Sequence, residues 1–266
     1  MKLYISPNLS KDRYIKTSLE CIEQLISNGF ECYTSEQDSV ALYGDKRIAA
    51  DADICDVIVS IGGDGSVLKA SHIAIKHNKA LFGINGGRLG YLCAFETSEL
   101  KDLTKNDIEA LVLSERSIIT DGNGHIAFND IVVAKSDFGS ILSFTVLCNG
   151  NEISSFRGDG VIISTPTGSS SYNMSANGPL LLPECECLSI TPICPHLSCI
   201  GSIVAPDSCN ITVKLADDSQ SKAVTYYDGI PIQMSSPSLT VKRYESKLSL
   251  LVKKENTSVN AQKLRK

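Results

Sequence analysis

Residues 56–78 read DVIVSIGGDGSVLKASHIAIKHN. Asp56 to Ile61 is β-branched and continuously apolar, the pattern of a strand buried on both faces. After Gly62-Gly63-Asp64-Gly65, the residues Val67, Ala70 and Ala74 recur at helical spacing. The stretch therefore predicts a strand, a glycine-rich turn and a helix. Working back toward the N-terminus, residues 2–6 form a first short apolar strand. Residues 11–28 place Ile15, Leu19, Ile22, Leu25 and Ile26 on one helical face, with a stop at Asn28-Gly29, and Phe30 to Thr34 follows as a second strand. Forward, residues 80–84 (ALFGI) give another buried strand. Strands alternating with helices argue for a parallel α/β sheet.

The pattern changes after about residue 97. A helix-like segment, 97–112, leads into β-rich stretches at 112–120, 126–135, 141–148, 160–165, 187–193, 209–215 and 223–227. In Cys209 to Leu215 apolar and polar residues alternate strictly, as in an antiparallel strand with one wet face. A second, β-dominated domain is placed at about 98–240. Pattern alone leaves open whether the last residues, 241–266, join it or return to the first domain. The end of the chain, ENTSVNAQKLRK, reads as frayed.

At ~150 residues per domain, 266 residues suit one large domain or two modest ones. A net charge of -5 without a basic cluster argues against a nucleic-acid partner. No stretch approaches the ~20 apolar residues of a membrane span. The N-terminus, MKLYISPNLSKDRYIK, has no apolar run long enough for an export signal. Ten scattered cysteines, several inside apolar runs, then read as reduced, mostly buried thiols of a cytoplasmic protein.

The Gly62–Gly65 turn carries the chemistry. Its glycines permit positive φ and let a phosphate approach the amides, and the following helix N-terminus adds partial positive charge. Gly62, Gly63, Gly65 and Ser66 are thus candidate phosphate contacts. Asp64 could take a hydroxyl proton beside the phosphate, and Lys69, one turn on, could reach a phosphate oxygen. A hairpin turn is the bland alternative, but no alternating strand follows. Gly122-x-Gly124-x-x-Ala127 fits a loose dinucleotide pattern, yet a strand rather than a helix follows it. His72 and His77, five apart, lie on different helix faces, so the default for both is a surface histidine; no protein metal ligands are expected. Asn85 to Leu92 (NGGRLGYL) follows a strand and is too glycine-rich for a core element. Residues 157–179 (RGDGVIISTPTGSSSYNMSANGP) run from a strand into a Thr-Pro-Thr-Gly turn, three serines and a tyrosine, a set suited to a nucleotide ring and ribose. Asn129-Asp130 is a polar pair in an otherwise apolar run.

Together these segments resemble the NAD kinase family. The match includes Gly62 to Gly65, Asn85 to Leu92 with Tyr91 for Phe, and Asn129-Asp130 for Asn-Glu. It continues through Asp159 to Tyr172, with Ser170 and Ser171 for Thr and Ala, and Pro192 to His196. Other kinases share the GGDG turn; the STPTGSSSY segment is more specific. The resemblance implies a Rossmann-like N-terminal α/β domain (1–97) and a β-sandwich-like C-terminal domain (98–240), with residues 241–266 packing back on the first. It implies ATP as donor with Mg²⁺, NAD as acceptor, and a homodimer or homotetramer. Asp64 is implied as general base, and as an NAD contact together with Gly65, Lys69, Asn129, Asp130, Arg157, Asp159, Ser170, Ser171, Tyr172, Ser175 and Cys194. Asp130 is one methylene shorter than Glu, and Ile230 stands where many members carry Gln. The alternatives are another GGDG-type kinase, acting on a sugar phosphate or a lipid, and a non-catalytic NAD(H)-sensing module, which need not keep Asp64.

Overall fold

The computed structural model describes residues 1–86, 90–196, 200–216 and 223–254. The chain divides into two compact units: Met1–Glu115 with the chain from Leu248, and Arg116–Lys247.

The first unit opens with β1 (Lys2–Ser6), α1 (Asp12–Ser27), β2 (Glu31–Tyr33) and α2 (Glu36–Tyr43). It continues with β3 (Val57–Gly62), α3 (Asp64–Lys76), β4 (Leu81–Asn85), β5 (Cys93–Glu96), α4 (Lys105–Glu109) and β6 (Val112–Arg116). The strand–turn–helix expected at 56–78 is present, with every residue of β3 buried. α1 buries Cys21, Ile22 and Leu25 on one face. α2 was not legible: its apolar residues have no helical period, and it is set by caps, Ser35 at one end and left-handed Gly44 at the other. The helix expected over 97–112 is instead a 3₁₀ turn at Thr97–Asp102 and the short α4. The pattern change after residue 97 is also not where the units part. Leu100, Leu103 and Ile108 pack into the first unit's core with Leu3, Ile22, Phe82 and Ile84, and β6 belongs to its sheet.

The second unit contains β7 (Ile119–Thr120), β8 (Ile126–Ala127), β9 (Asp130–Lys135), β10 (Leu142–Cys148), β11 (Asn151–Gly158), β12 (Gly160–Ser164) and α5 (Tyr172–Ser175). Then come β13 (Cys187–Ile193), β14 (Ile203–Pro206), β15 (Ile211–Leu215), β16 (Ala223–Tyr227), β17 (Ile230–Gln233) and β18 (Ser238–Arg243). They form two six-stranded sheets, β11-β10-β15-β18-β7-β8 and β14-β13-β12-β9-β16-β17. One core joins them: Phe144, Val146, Val213 and Val241 from the first sheet meet Ile131, Val133, Val161 and Ile190 from the second. That shared core makes a β-sandwich, as expected. β11 escaped the sequence reading because its exposed residues outnumber its buried ones. Its turn did not hide: Asn149 and Gly150 both have positive φ, the signature of a tight hairpin. Gly122 and Gly124 also lie in a hairpin, between β7 and β8, so the loose dinucleotide match is a turn.

The chain then returns to the first unit as β19 (Leu248–Val252), and the sheet order there becomes β2-β1-β3-β4-β19-β6, with β5 also on β4. β19 pairs in parallel with β4, so the return begins at Leu248 rather than residue 241. Residues 87–89 of the Asn85–Leu92 segment and the tail 255–266 lie outside the described residues. No described helix is long and apolar enough to cross a membrane.

Candidate functional site

In the first unit the sheet order reverses between β1 and β3: β1 runs through α1 to β2 on one side, while β3 and β4 extend the other. The carboxyl ends of two such strands leave a crevice, the usual place for a ligand in an open parallel sheet. Here that crevice is a cleft of about 580 Å³ lined by Ser6–Ser10, Tyr14, Gly63, Gly65, Ser66 and Lys69. The sequence reading foresaw its glycine side and missed its β1 side. Asn8 carries the signal in hindsight: its side chain takes Ser10 N at 3.1 Å and Ser10 Oγ at 2.7 Å, an Asx turn that ends the strand.

The glycines of the loop differ in their reasons. Gly62 has φ 147° and a Cβ there would lie 2.1 Å from Ser66 Oγ, so backbone and packing both require glycine. Gly63 and Gly65 meet nothing within 4 Å, and Gly63 has ordinary extended φ. No constraint among the described residues demands them; a ligand approaching the amides would. α3 starts at Asp64, so the N–H groups of Asp64 and Gly65 lack intrahelical partners at this point, while that of Ser66 donates back to Gly63 O at 2.8 Å.

Both oxygens of Asp64 accept backbone N–H groups, Oδ2 from Tyr91 and Oδ1 from Leu92, each at 3.0 Å. Gly90 passes close by, its Cβ position 3.3 Å from Asp64 Oδ1. The described part of the Asn85–Leu92 segment thus aims the loop's carboxylate. Among the described residues each oxygen keeps a second lone pair. His77, read as a surface residue, is mostly covered, with Nδ1 2.7 Å from Asp53 and 3.7 Å from Asp51.

In the second unit β8 stops at Ala127 and β9 begins at Asp130, leaving Phe128 and Asn129 in a break between strands. Thr165 fastens this break from the carbonyl side: its Oγ1 donates to Phe128 O at 2.7 Å and its N donates to Asn129 O at 2.9 Å. Gly168 lies so close that a Cβ would sit 2.1 Å from Asn129 O. The Thr-Pro-Thr-Gly turn is therefore fixed against the Phe128-Asn129 backbone. Asn129 Nδ2 reaches Ser171 Oγ at 3.4 Å, while Asn129 Oδ1 is buried with no partner among the described residues. Asp130 is 6% exposed, so this polar pair does not mark a solvent-facing strand position. Burial, and then the charge of Asp228, push its carboxyl up to about 7.

The remaining expected contacts gather here in part. Tyr172 is raised first by partial burial and then by Cys194, Asp130, Asp159 and Tyr226, which places those groups around its phenol. Tyr226 had no sequence signal, because in alternating AVTYY it reads as an ordinary strand residue. Cys194 is exposed in a left-handed conformation. Asp159 is ion-paired to Lys135 at 2.8 Å. Arg157 is exposed and bridges to His196 through the backbone, His196 N donating to Arg157 O at 2.7 Å. Ser170 Oγ and Ser175 Oγ bond back to Thr167 O and Ser171 O. Asn173, between them, faces inward: it donates to Ser169 O and Pro179 O and accepts from Thr191.

Comparison with known proteins covers both units. The ATP-NAD kinase N-terminal domain matches residues 8–110, and the ATP-NAD kinase C-terminal domain matches 128–248. The NAD kinase of Lachnoclostridium phytofermentans is 32% identical over 244 residues, covering 86% of this chain and 85% of that protein. That of Chlorobium phaeobacteroides is 33% identical over 264 residues, covering 94% and 91%. Among solved structures, an Archaeoglobus fulgidus NAD kinase in complex with ATP superposes with a TM-score of 0.81 at 24% identity, covering 100% of this chain and 99% of that one. Yeast NADH kinase complexed with NADH gives 0.81 at 21% identity, covering 97% and 84%. With relatives above 30% identity along most of its length and family domains matched in both units, this chain belongs to the NAD kinase family.

Proposed function

We propose how this chain's residues divide the work of the family's reaction, the ATP-dependent phosphorylation of NAD on the 2′-hydroxyl of its adenosine ribose to give NADP. One observation carries the reading. Among the described residues Asn129 Oδ1 is buried without a hydrogen-bond partner, and beside it stands a buried carboxylic acid, Asp130. A buried acceptor left unmatched costs roughly 1–3 kcal/mol, so Asn129 Oδ1 beside a buried carboxyl implies a ligand that brings donors. A ribose diol brings two hydroxyl donors, and a carboxylate is acceptor-only once ionised.

In this assignment Asn129 and Asp130 hold the ribose. Tyr172, Ser171, Ser170, Ser175, Cys194, Arg157 and Asp159 contact the rest of NAD; Asp159 does so as part of its pair with Lys135. Gly62, Gly63, Gly65 and Ser66 receive phosphate at the amino end of α3, where amides and the helix dipole favour an anion. Lys69, on the same cleft wall, neutralises phosphate oxygens. Asp64 accepts the proton of the attacking hydroxyl; its two amide bonds fix its direction and leave a lone pair for that proton. The oxygen donors along the cleft, Asn8, Ser10 and Ser66 with the Asp64 carboxylate, suit a hard cation that stays mainly with triphosphate and water. When bound, Mg²⁺ would supply charge neutralisation of the transferring phosphoryl group. The intact Asp64 favours an enzyme over an NAD(H)-sensing module.

The reading also takes the chain as a cytoplasmic homodimer or homotetramer. Exposed apolar residues in the segment after α5, Leu180 and Leu182, favour a protein contact there, and sedimentation of the purified chain tests it. The function is tested with the full chain, ATP, Mg²⁺ and NAD, following NADP through a coupled dehydrogenase. NADP should accumulate, and 2′-deoxy-NAD should bind without reacting. Product from fructose 6-phosphate or diacylglycerol, or none from NAD, would overturn the assignment.

A further inference from the structure

The strand break at Phe128-Asn129 is fastened from its amide side as well, by a residue a hundred positions away. Asp228 Oδ2 accepts Phe128 N at 2.8 Å, and Oδ1 accepts Asn129 N at 2.7 Å and Asp130 N at 3.2 Å. In return Asp228 N donates to Asp130 O at 3.1 Å. We infer that Asp228 is a positioning residue for NAD: its carboxylate gathers three successive backbone amides and so sets the direction in which the Asn129 and Asp130 side chains meet the ribose. The inference rests on the assignment of those two side chains to the ribose.

Three features separate this from an ordinary strand contact. A break between β8 and β9 leaves the amides of Phe128 and Asn129 without ladder partners, and converging N–H groups make a nest that an anion fills. Asp228 itself has φ 50°, a left-handed conformation that an L-residue holds only at some cost. The neighbouring Tyr227 is anchored independently, its OH donating to the mostly buried Asp121 at 2.8 Å. The end of β16 is thereby pinned, and Asp228 reaches β9 from a fixed base. With Thr165 on the carbonyls and Asp228 on the amides, Phe128-Asn129 is gripped on both edges.

Asp228 also sets the electrostatics. Among the described residues the titratable groups coupled to Asp130 are Asp228, from the turn after β16, and Tyr172 from α5; Asp159 and Cys194 act on that phenol in turn. The negative charge of Asp228 adds to burial in holding the Asp130 proton. If the ionised Asp130 takes the ribose, the KM for NAD must rise as pH falls through about 7.

The experiment uses the full chain and its Asp228→Asn and Asp228→Gly variants. Asn and Gly both accept left-handed φ, so neither strains the backbone. KM for NAD and KM for ATP are measured separately across this pH range. The expected result is a rise in KM for NAD of about tenfold or more, larger for Gly, with KM for ATP unchanged. In Asp228→Asn the acid limb of the NAD profile should also move to lower pH, since the charge that holds the Asp130 proton is gone. A KM for NAD within about twofold of wild type in both variants overturns the inference, and so does a rise with the limb unmoved. Asp130→Asn, run alongside, tests the ribose assignment on its own: an acid limb that survives it ends that assignment whatever Asp228 does.

Discussion

Asp64 and Asp130 are both carboxylates, and their surroundings give them different work. Asp64 lies in a glycine loop with two backbone amides bonded to it, which fix its direction. Asp64→Asn keeps the shape and one acceptor but cannot take a proton. Turnover should drop by about 10²–10⁴-fold, the usual share of general-base catalysis, with NAD affinity changing far less. Near-normal turnover would end its role as base. Asp130 is buried beside another negative charge, and its carboxyl is raised from 3.8 to about 7. A carboxyl raised on folding favours the folded state while protonated. That contribution is complete below its unfolded value and disappears as pH rises through about 7. Above that pH the protein holds an ionised Asp130 at a cost in stability, and NAD relieves the cost by bonding to it. The melting-temperature rise produced by NAD should therefore be larger on the alkaline side of this value than on the acid side. Asp130→Asn should flatten the difference; a wild-type shift independent of pH counts against the assignment.

Two loops convert backbone geometry into ligand geometry. In the loop before α3, Gly62 is required by the fold and Gly63 is not. Gly62→Ala should lower the melting temperature, because it combines a disfavoured φ with a clash at Ser66. Gly63→Ala should leave the melting temperature alone and raise KM for ATP, since the methyl group occupies the path of a phosphate to the amides. Equal thermal loss in both would mean that Gly63 is a packing glycine. In the turn after β12, the fault lies in the opposite place: Gly168→Ala would drive a methyl group into the backbone of Asn129. Backbone cannot move aside as a flexible side chain does, and overpacking typically costs about 1–3 kcal/mol. Both stability and KM for NAD should suffer, and calorimetry with initial rates reads both.

At the level of the molecule, the first unit is not closed until the chain has built the second. β19 inserts beside β4, with Leu248, Leu250 and Val252 buried. Burying one such side chain is worth roughly 1.5–3 kcal/mol, so three approach the ~5–15 kcal/mol that holds a typical domain together. A chain ending at Lys247 should lose cooperative unfolding of the first unit, seen as a missing or much lowered calorimetric transition, while the sandwich keeps its own. A truncated chain that melts like the full one would show β19 to be dispensable.

Sequence alone determined whatever local pattern encodes. The continuous apolar run of β3, the glycines after it and the spacing of Val67, Ala70 and Ala74 specify a strand, a turn and a helix with little help from elsewhere. The motifs at Gly62–Gly65 and Ser164–Tyr172 marked the chemistry, because turn geometry and phosphate approach restrict residue choice over a few neighbouring positions. Tertiary structure alone decided matters that depend on contacts between distant residues. The short helices after residue 97 gave no boundary signal; they joined the first unit by burying Leu100 and Ile108 in its core. β19 could be placed only by its pairing with β4. Asp228 is an unremarkable turn residue in Tyr-Asp-Gly-Ile, and its three amide bonds exist only because the sandwich brings position 228 against 128–130. Asp130 became a titrating group near neutrality for the same reason: burial and a neighbouring charge are properties of packing, and no stretch of chain contains them.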